Sequence, residues 1–263
     1  MTASDPWRVL TDHQAAVARR FLAERTAERT HLVMYLSGAH AYGFPSPDSD
    51  LDLKCVHIAP TQTLVGLEPV EEPRDRLEIV EGVELDYGSN ELAPTLRGAI
   101  KGNGNFLERL FGDLVLGGES SLLAEARAVV RPVLSRRVAR HYSGFATNQQ
   151  KAFDDKPTAK RALYVLRTAA TGRHLLAHGE VVTDVARLAA FVPDEIAALI
   201  DIKRQAERQE LPPEQVAVWR DRLSAAIAAV DAAVPVSELP PEPSSEAIAA
   251  VDRWLRDVRR RCW

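Results

Sequence analysis

The stretch that decides the fold runs from residue 36 to residue 54 and reads LSGAHAYGFPSPDSDLDLK. It begins at the end of a short apolar run, residues 32–36, whose length and flanking residues predict a buried strand. Gly38 and Gly43 then bracket a few good helix formers, and residues 45–49 are typical of a turn. Polar and apolar residues alternate from 50 to 58, which predicts a second strand.

Asp50 and Asp52 stand two residues apart on this second strand, so their side chains point to the same face of the sheet. Leu51 and Leu53 point to the other face, toward a core. Two carboxylates held this close repel each other, and a hard divalent cation between them relieves the repulsion. The alternative is that both are exposed strand residues without a site, because Asp-x-Asp taken alone is common.

A third carboxylate, Asp86, lies on a further alternating segment, residues 82–87. If the two strands pair, Asp86 joins the other carboxylates on one face. Three carboxylates would suit two Mg2+ ions about 3.5–4 Å apart, and Asp86 could also act as the base that accepts a hydroxyl proton. Asp75 and Glu84 compete for this third position, whereas Asp48 is interpreted as a turn residue.

Ser37 and Gly38 follow the first strand and open the short helix. Free backbone N–H groups at a helix N-terminus bind phosphate, and Gly38 lets the backbone approach closely because it has no Cβ. A phosphate-binding turn that leads into a carboxylate pair predicts a site for a nucleotide and a metal.

The whole sequence has 263 residues, 46% hydrophobic and 27% charged, which is ordinary for a soluble globular protein. Its formal net charge of -4 disfavours tight, extended binding to duplex nucleic acid. Two distant cysteines, Cys55 and Cys262, argue against a disulfide framework or a zinc site. With no secretory signal and no apolar run near ~20 residues, we expect a cytoplasmic protein without membrane contact. The oligomeric state is left open.

The rest of the chain divides at about residue 118. We predict a helix over about 12–29, an acidic loop from Thr61 to Glu81, and helices after residue 90 that break at residues 101–105. Beyond Ser120 strand signals vanish, and amphipathic stretches follow at about 121–153, 157–178, 184–209 and 213–233, with a last helix from Ser245 to Arg261. The pattern predicts an α+β fold with a strand-containing domain, residues 1–118, and a helical domain, residues 119–263.

Residues 36–43 together with Ser49-Asp50-Leu51-Asp52 resemble the signature of the DNA polymerase beta-like nucleotidyltransferase superfamily. That signature is a Gly-Ser pair opening a short helix, Asp-x-Asp on the next strand, and a third acidic residue on a later strand. The Ala-Tyr-Gly and Ser-Asp-x-Asp details are similar to a bacterial and phage branch of predicted nucleotidyltransferases, some of them associated with RNA repair. Residues 102–105 and Glu108 resemble a Gly-Asn-x-Asn and Glu segment of that branch.

The resemblance implies a small mixed β-sheet nucleotidyltransferase core flanked by helices and followed by a C-terminal helical bundle. It implies metal ligands and catalytic groups at Asp50, Asp52 and Asp86, with two Mg2+ ions as cofactors and Mn2+ as a substitute. The nucleotide contacts that we expect come from the glycine turn and from basic residues of the helical half: Ser37, Gly38, Ala39, His40, Ser49, Lys151, Lys160 and Arg167. His40 is expected on the helix surface or close to a phosphate. Tyr42 is expected to pack, and base stacking is left open as its alternative role.

The expected reaction moves a nucleoside monophosphate from a nucleoside triphosphate such as ATP to an acceptor hydroxyl, with release of pyrophosphate. The acceptor could be an RNA end, a protein or a small molecule. One residue departs from the pattern: Ala39 stands where the family usually has a serine that helps to hold the triphosphate. The alternatives are therefore a nucleotide-sensing module without turnover, or a small-molecule nucleotidyltransferase resembling the aminoglycoside-modifying enzymes.

Overall fold

The computed structural model of the chain describes residues 5–67, 75–205 and 209–263. A five-stranded sheet consists of β1 Thr30–Leu36, β2 Leu51–Ile58, β3 Arg76–Val80, β4 Val83–Glu91 and β5 Val115–Gly117. The strand order is β3-β4-β2-β1-β5. The central pair β2 and β4 is parallel, and the other neighbouring strands are antiparallel. This mixed sheet with helices around it confirms the α+β fold class.

The helices of the described residues are α1 Asp12–Glu28, α2 Gly38–Ala41, α3 Thr61–Val65, α4 Leu92–Ile100, α5 Gly104–Phe111, α6 Ser120–Val130, α7 Val138–Asp155, α8 Ala159–His178, α9 Ile196–Gln205, α10 Pro213–Ala233 and α11 Ser245–Arg261. Helix α1 begins with a capping box, in which Thr11 and Gln14 each accept a bond from the other's backbone. Among these described helices, none has the length and apolarity that crossing a membrane requires.

The two faces of the sheet have different surroundings. Leu51 and Leu53 are buried in a hydrophobic cluster with Phe21 and Leu22 of α1. Because side chains alternate along a strand, the residues between these leucines point to the opposite face. Asp52 is one of them, and it is half-buried there. The hydrophobic face of β2 therefore fixes the direction in which its carboxylate points.

A second and larger hydrophobic cluster crosses the expected division at residue 118. It joins Leu32 of β1 and Leu107 of α5 with Leu163 of α8 and Val258 of α11. The last helix is also tied to the sheet side of the molecule, because the backbone N–H of Thr61 donates to the carbonyl of Cys262 at 3.0 Å. The strand-containing and helical parts share one core, and the two-domain boundary stays a prediction.

The sequence predicted an acidic loop from Thr61 to Glu81, but this segment contains a helix and a strand. Helix α3 begins at Thr61, and the edge strand β3 occupies residues 76–80. Leu77 and Ile79 of β3 are exposed, so the strand lacks the buried alternation that marks β2. Pro69 and Pro73 of this segment lie outside the described residues.

Two of the expected helical stretches also need correction. The stretch 121–153 is two helices, α6 and α7, because Pro132 lies in a short 3-10 turn between them. The stretch 184–209 contains α9 over residues 196–205, preceded by turns and a short 3-10 helix, and residues 206–208 lie outside the described part. The helices at 213–233 and 245–261 are confirmed at the expected bounds.

Candidate active site

The parallel pairing of β2 and β4 brings the predicted carboxylates together. Asp52 lies directly opposite Asp86, and Leu51 lies opposite Leu85. The expected pairing of these two strands is therefore confirmed. Asp50 is close enough to Asp52 that its charge raises the pKa of that carboxyl.

Gly38 lies against Asp52 so closely that another residue would not fit. Its φ is +62°, a conformation that favours glycine, and an added Cβ would lie 1.7 Å from Asp52 Oδ2. The backbone N–H of Ser37 donates to the carbonyl of Asp52 at 2.8 Å. These contacts hold the glycine turn and the carboxylate at one place, as the sequence predicted.

A cavity of about 210 Å3 opens beside this contact. Ser37, Gly38 and Asp52 form one wall, and the other walls come from α5, α7 and α8. The residues that line it are Tyr35, Ser37, Gly38, Tyr42, Asp52, Lys54, Asn105, Glu108, Arg109, Phe145, Gln149, Tyr164 and Arg167. The cavity thus offers the carboxylates of Asp52 and Glu108, several cations and aromatic rings around a small space, and its lining residues do not include Asp50 or Asp86.

Burial raises the pKa of Asp52 from its ordinary value of 3.8 to about 7, and the charges of Asp50 and Asp86 add to the rise. Lys54 and Lys160 act in the opposite direction. A carboxyl with this pKa is poised between its neutral and charged forms near neutral pH. A bound cation would stabilise the charged form of Asp52, because it would offset the repulsion from Asp50 and Asp86.

Lys54 already supplies one positive charge on this face. Its Nζ donates to Asp86 Oδ1 at 2.6 Å and lies 4.0 Å from Asp52 Oδ1. Within the described ranges no group of three or more His, Cys, Asp or Glu side chains is arranged to hold a metal ion. The donor type nevertheless fits a hard divalent cation, since the acids are carboxylates that repel each other. Coordination by Asp86 would require it to turn away from Lys54.

A buried ion pair between α5 and α8 forms part of the cavity wall. Arg167 Nη1 is 2.7 Å from Glu108 Oε1, and the two side chains are 3% and 7% exposed. The guanidinium of Arg167 also lies 3.7 Å from the centre of the Tyr42 ring. Tyr42 is buried and in edge contact with Tyr164, so its expected packing role is confirmed.

Comparisons with known proteins agree with this geometry. Residues 15–257 match RlaP, the RNA repair pathway DNA polymerase beta family. The chain belongs to this family. The match covers both the sheet and the helical half of the chain, so the RlaP assignment does not depend on the short glycine and Asp-x-Asp motifs alone.

Individual relatives of this RlaP-family chain are more distant. The uncharacterized protein MJ0002 of Methanocaldococcus jannaschii is 27% identical over 155 residues, which are 58% of this chain and 63% of that protein. The uncharacterized protein YcgL of Bacillus subtilis is 28% identical over 186 residues, 66% of this chain and 70% of that one. A nucleotidyltransferase-like protein of Exiguobacterium sibiricum has a TM-score of 0.32 at 12% identity, over 92% of this chain and 78% of that structure.

The expected nucleotide contacts of the RlaP-family site divide into a first group that lies at or near the cavity, Ser37, Gly38, Arg167 and Lys160, and a second group that does not line it. Ser37, Gly38 and Arg167 line the cavity. Lys160 lies close enough to Asp52 to lower the pKa of that carboxyl. Lys151 is exposed on α7, and the described lining residues do not include it. These assignments remain predictions, although the first group has the better position.

His40, Ala39 and Ser49 lie behind the wall of the cavity rather than in it. His40 is buried, so its expected place on a helix surface is wrong; burial lowers the pKa of its ring, and Asp50 opposes that shift. Ala39 is buried in the larger hydrophobic cluster. The hydroxyl of Ser49 accepts a bond from the backbone N–H of Ser46 at 2.9 Å. A hydrogen bond between two of its own residues, Ser46 and Ser49, thus stabilises the turn before Asp50.

Lys203 of α9 is a residue that sequence reasoning missed. Its side chain is completely buried, and Nζ donates to the Ser46 hydroxyl at 2.7 Å and to the Ser49 hydroxyl at 3.4 Å. The helical half therefore holds the turn that leads into Asp50. Lys54 was also missed, although its position two residues after Asp52 on a strand could have revealed it.

Proposed function

We propose that this RlaP-family protein is a Mg2+-dependent nucleotidyltransferase. It moves a nucleoside monophosphate from a nucleoside triphosphate, such as ATP, to an acceptor hydroxyl and releases pyrophosphate. The family match and the fold support a nucleotidyltransferase-like protein. The proposal adds the metal, the nucleotide and the reaction.

One observation carries the proposal: the Asp52 carboxylate lies against Gly38, in a cavity also lined by Ser37 and opposite Asp86 in the sheet. A triphosphate needs backbone N–H groups and a cation, and the turn at Ser37 and Gly38 lies within one small space with a carboxylate that can bind a cation. The Asp52 carboxylate occupies the space that a side chain at position 38 would need. The pKa of Asp52 is raised to about 7 by burial and by the negative charges of Asp50 and Asp86, and a bound cation would offset that repulsion.

Each residue of the site has its own role in the proposed reaction. Asp50 and Asp52 would hold Mg2+, and Asp86 would complete the set after it leaves Lys54. The bound metal supplies charge neutralisation for the phosphates and lowers the pKa of an attacking hydroxyl. Ser37 and the backbone at Gly38 contact the phosphates, and Lys160 adds a positive charge near Asp52. Arg167 is held by Glu108 at the cavity wall, so its charge is positioned before any ligand binds.

The direct experiment measures Mg2+-dependent pyrophosphate release from each of the four ribonucleoside triphosphates, with and without RNA. We expect release with at least one nucleotide and its loss in Asp52→Asn. An exposed turn carboxylate gives a matched control, Asp48→Asn, which should keep the wild-type rate. Equal rates in wild type and Asp52→Asn would remove Asp52 from the reaction.

A nucleotide-binding module without turnover is the second candidate. It is favoured by the 2.6 Å contact of Lys54 with Asp86, which engages the third carboxylate, and by alanine at position 39. This candidate predicts that a labelled triphosphate binds while no pyrophosphate forms, even with RNA supplied. Restoring the serine in Ala39→Ser would then improve affinity only if the buried position can present its hydroxyl to the phosphates.

A further inference from the structure

A second cleft adjoins the candidate active site and shares one residue with it. This cleft has a volume of about 430 Å3 and lies along the exposed side of α7. Phe145 lines both this cleft and the cavity that contains Asp52. The lining residues are Lys101, Asn103, Arg137, Arg140, His141, Gly144, Phe145 and Asn148. We call the cleft, together with its continuation past Lys101 and Arg140, the α7 groove.

The α7 groove is positively charged, although the net charge of the whole chain is -4. Arg137 is paired with Glu242. Among the described residues, the side chains of Lys101 and Arg140 have neither a hydrogen bond nor an ion pair, and both are exposed. Two cations are thus available at one surface, and an anion in the groove would not have to displace a carboxylate from them.

The groove is also built to present an aromatic surface. The rings of His141 and Phe145 are stacked, with centroids 5.7 Å apart and an angle of 25° between their planes. Phe145 is 37% exposed. Burial and the charge of Arg167 lower the pKa of His141 to about 4, so its ring is uncharged at neutral pH. An uncharged stacked pair beside cations suits an unpaired base next to a phosphate.

One side of the α7 groove is formed by the segment around Gly102, which packs tightly against the start of α7. Gly102, at φ +78°, lies so close to the backbone of Arg137 that a Cβ would approach within 2.7 Å. That contact seats the segment of Lys101 and Asn103 against the first turn of α7. Gly144 is different, because a Cβ added there would meet nothing within 4 Å. The groove therefore has one tightly packed side at Gly102 and free space beside Gly144.

We propose that the α7 groove binds a single-stranded polynucleotide and leads its end past Phe145 to the carboxylate face of β2 and β4. The inference rests on the proposed function, since it names the acceptor of that reaction. Lys101 and Arg140 contact the phosphodiester backbone, and a base stacks on Phe145. A duplex fits less well, because its bases already stack on each other and offer no free face.

Binding is tested with the full chain and a fluorescently labelled, unstructured RNA of about 12 nucleotides, a length within the known range of single-strand sites. Fluorescence anisotropy is measured in chelator and without triphosphate, so the result is independent of turnover. We expect Phe145→Ala to weaken binding by about fivefold or more, the lower end of stacking effects. Arg140→Glu should weaken it and reduce the slope of log affinity against log salt by about 0.7.

Gly144→Leu is the sharpest variant. A Cβ at this position would meet no atom within 4 Å, so we expect the fold to persist while the added side chain excludes the strand from the groove. Arg253→Glu makes the same charge change as Arg140→Glu on the exposed face of α11, away from the groove, and should bind RNA as wild type does. Thermal unfolding of each variant confirms that it is folded.

Three results would overturn the proposal: no RNA binding by wild type at low salt, wild-type affinity in all three groove variants, or equal affinity for a duplex or for an acidic peptide of matched charge. A DNA strand of the same sequence separates the two sugars; tighter RNA binding assigns contacts to the 2′-hydroxyl, and equal binding assigns the backbone and base alone. RNA binding without pyrophosphate release would refute the proposed enzyme and leave the groove supported.

Discussion

At the residue scale, Asp52 makes one definite contribution to the pH dependence of the protein's stability. Its pKa rises from 3.8 in an unperturbed chain to about 7 in the folded protein. At this carboxyl the folded state therefore holds a proton that the unfolded state has lost between these values, so the contribution of Asp52 to the free energy of unfolding falls as pH rises from about 4 to about 7. Above that range both states are charged, and the loss is complete. Burial lowers the pKa of His31, His57 and His141 to about 4, and these rings contribute in the opposite direction.

Asp52→Asn should therefore stabilise the metal-free protein at about pH 8, by on the order of 2–4 kcal/mol, and much less at about pH 5. Urea unfolding in chelator at the two pH values measures the difference. Asp48→Asn removes a carboxylate from the exposed part of the same turn and should change stability at neither pH. A stabilisation by Asp52→Asn that is equal at both pH values would contradict the assigned pKa.

Lys54 is the residue whose charge competes most directly with a cation. Its Nζ is 2.6 Å from Asp86 Oδ1 and 4.0 Å from Asp52 Oδ1. Lys54→Met should tighten Mg2+ binding by about 3–10-fold, an electrostatic gain of roughly 1 kcal/mol. Calorimetric titration with Mg2+ measures this, and Lys156→Met, an exposed lysine in the turn after α7, is the control. Unchanged or weaker binding in Lys54→Met would show that the ammonium does not oppose the metal.

At the scale of elements, the buried pair of Glu108 and Arg167 joins α5 to α8 in the wall of the cavity. Removing one partner leaves an uncompensated charge in the interior, which costs about 3–5 kcal/mol. Glu108→Gln and Arg167→Met should each lower the free energy of unfolding by that order. The double variant should lose clearly less than the sum of the two.

Denaturant unfolding of the four proteins in this double-mutant cycle provides the coupling energy. Arg161→Met is a suitable comparison, since that arginine of α8 bonds only backbone carbonyls near its own end of the helix. Strictly additive losses for Glu108→Gln and Arg167→Met would mean that the 2.7 Å contact contributes no energy of its own.

The elements that the sequence predicted best are those with local signals. The alternation in residues 50–58 predicts β2, because a period of two is a property of a strand alone, and the structure has this strand from Leu51 to Ile58. Asp50 lies just before the strand rather than on it, so its common face with Asp52 stays a prediction. The break expected at residues 101–105 is also found, and there Asn103 caps α5, since its side chain accepts the backbone N–H of Asn105 at 3.0 Å. Pro132 divides the long helix that was expected at 121–153, a break that the proline itself could have indicated.

What escaped prediction depends on contacts between distant residues. Lys203 reaches Ser46 across 157 positions of sequence, and a lysine in an amphipathic helix gives no local sign of complete burial. Strand β3 has exposed hydrophobic residues and owes its existence to pairing with β4. The partner of Lys54 also follows from the register of β2 and β4, which sequence alone does not supply.

At the scale of the whole molecule, the larger hydrophobic cluster joins the two halves that composition separates. It includes residues from β1 to α11, and Arg259 of α11 pairs with Glu91 at the end of β4. A shared core of this kind predicts one cooperative unfolding transition for the chain. Calorimetry should show a single peak whose calorimetric and van't Hoff enthalpies agree. Two separate transitions would instead support independent domains that meet near residue 118.

The central claim is that the carboxylates of Asp50 and Asp52 and the turn at Gly38 form one site for a metal and a triphosphate. It is tested most directly by a crystal structure with a non-hydrolysable triphosphate and Mn2+, located by anomalous scattering. The account predicts Mn2+ bound by Asp50 and Asp52, with the phosphates against Ser37 and Gly38. Mn2+ and triphosphate bound elsewhere, with both aspartates uncoordinated, would contradict it.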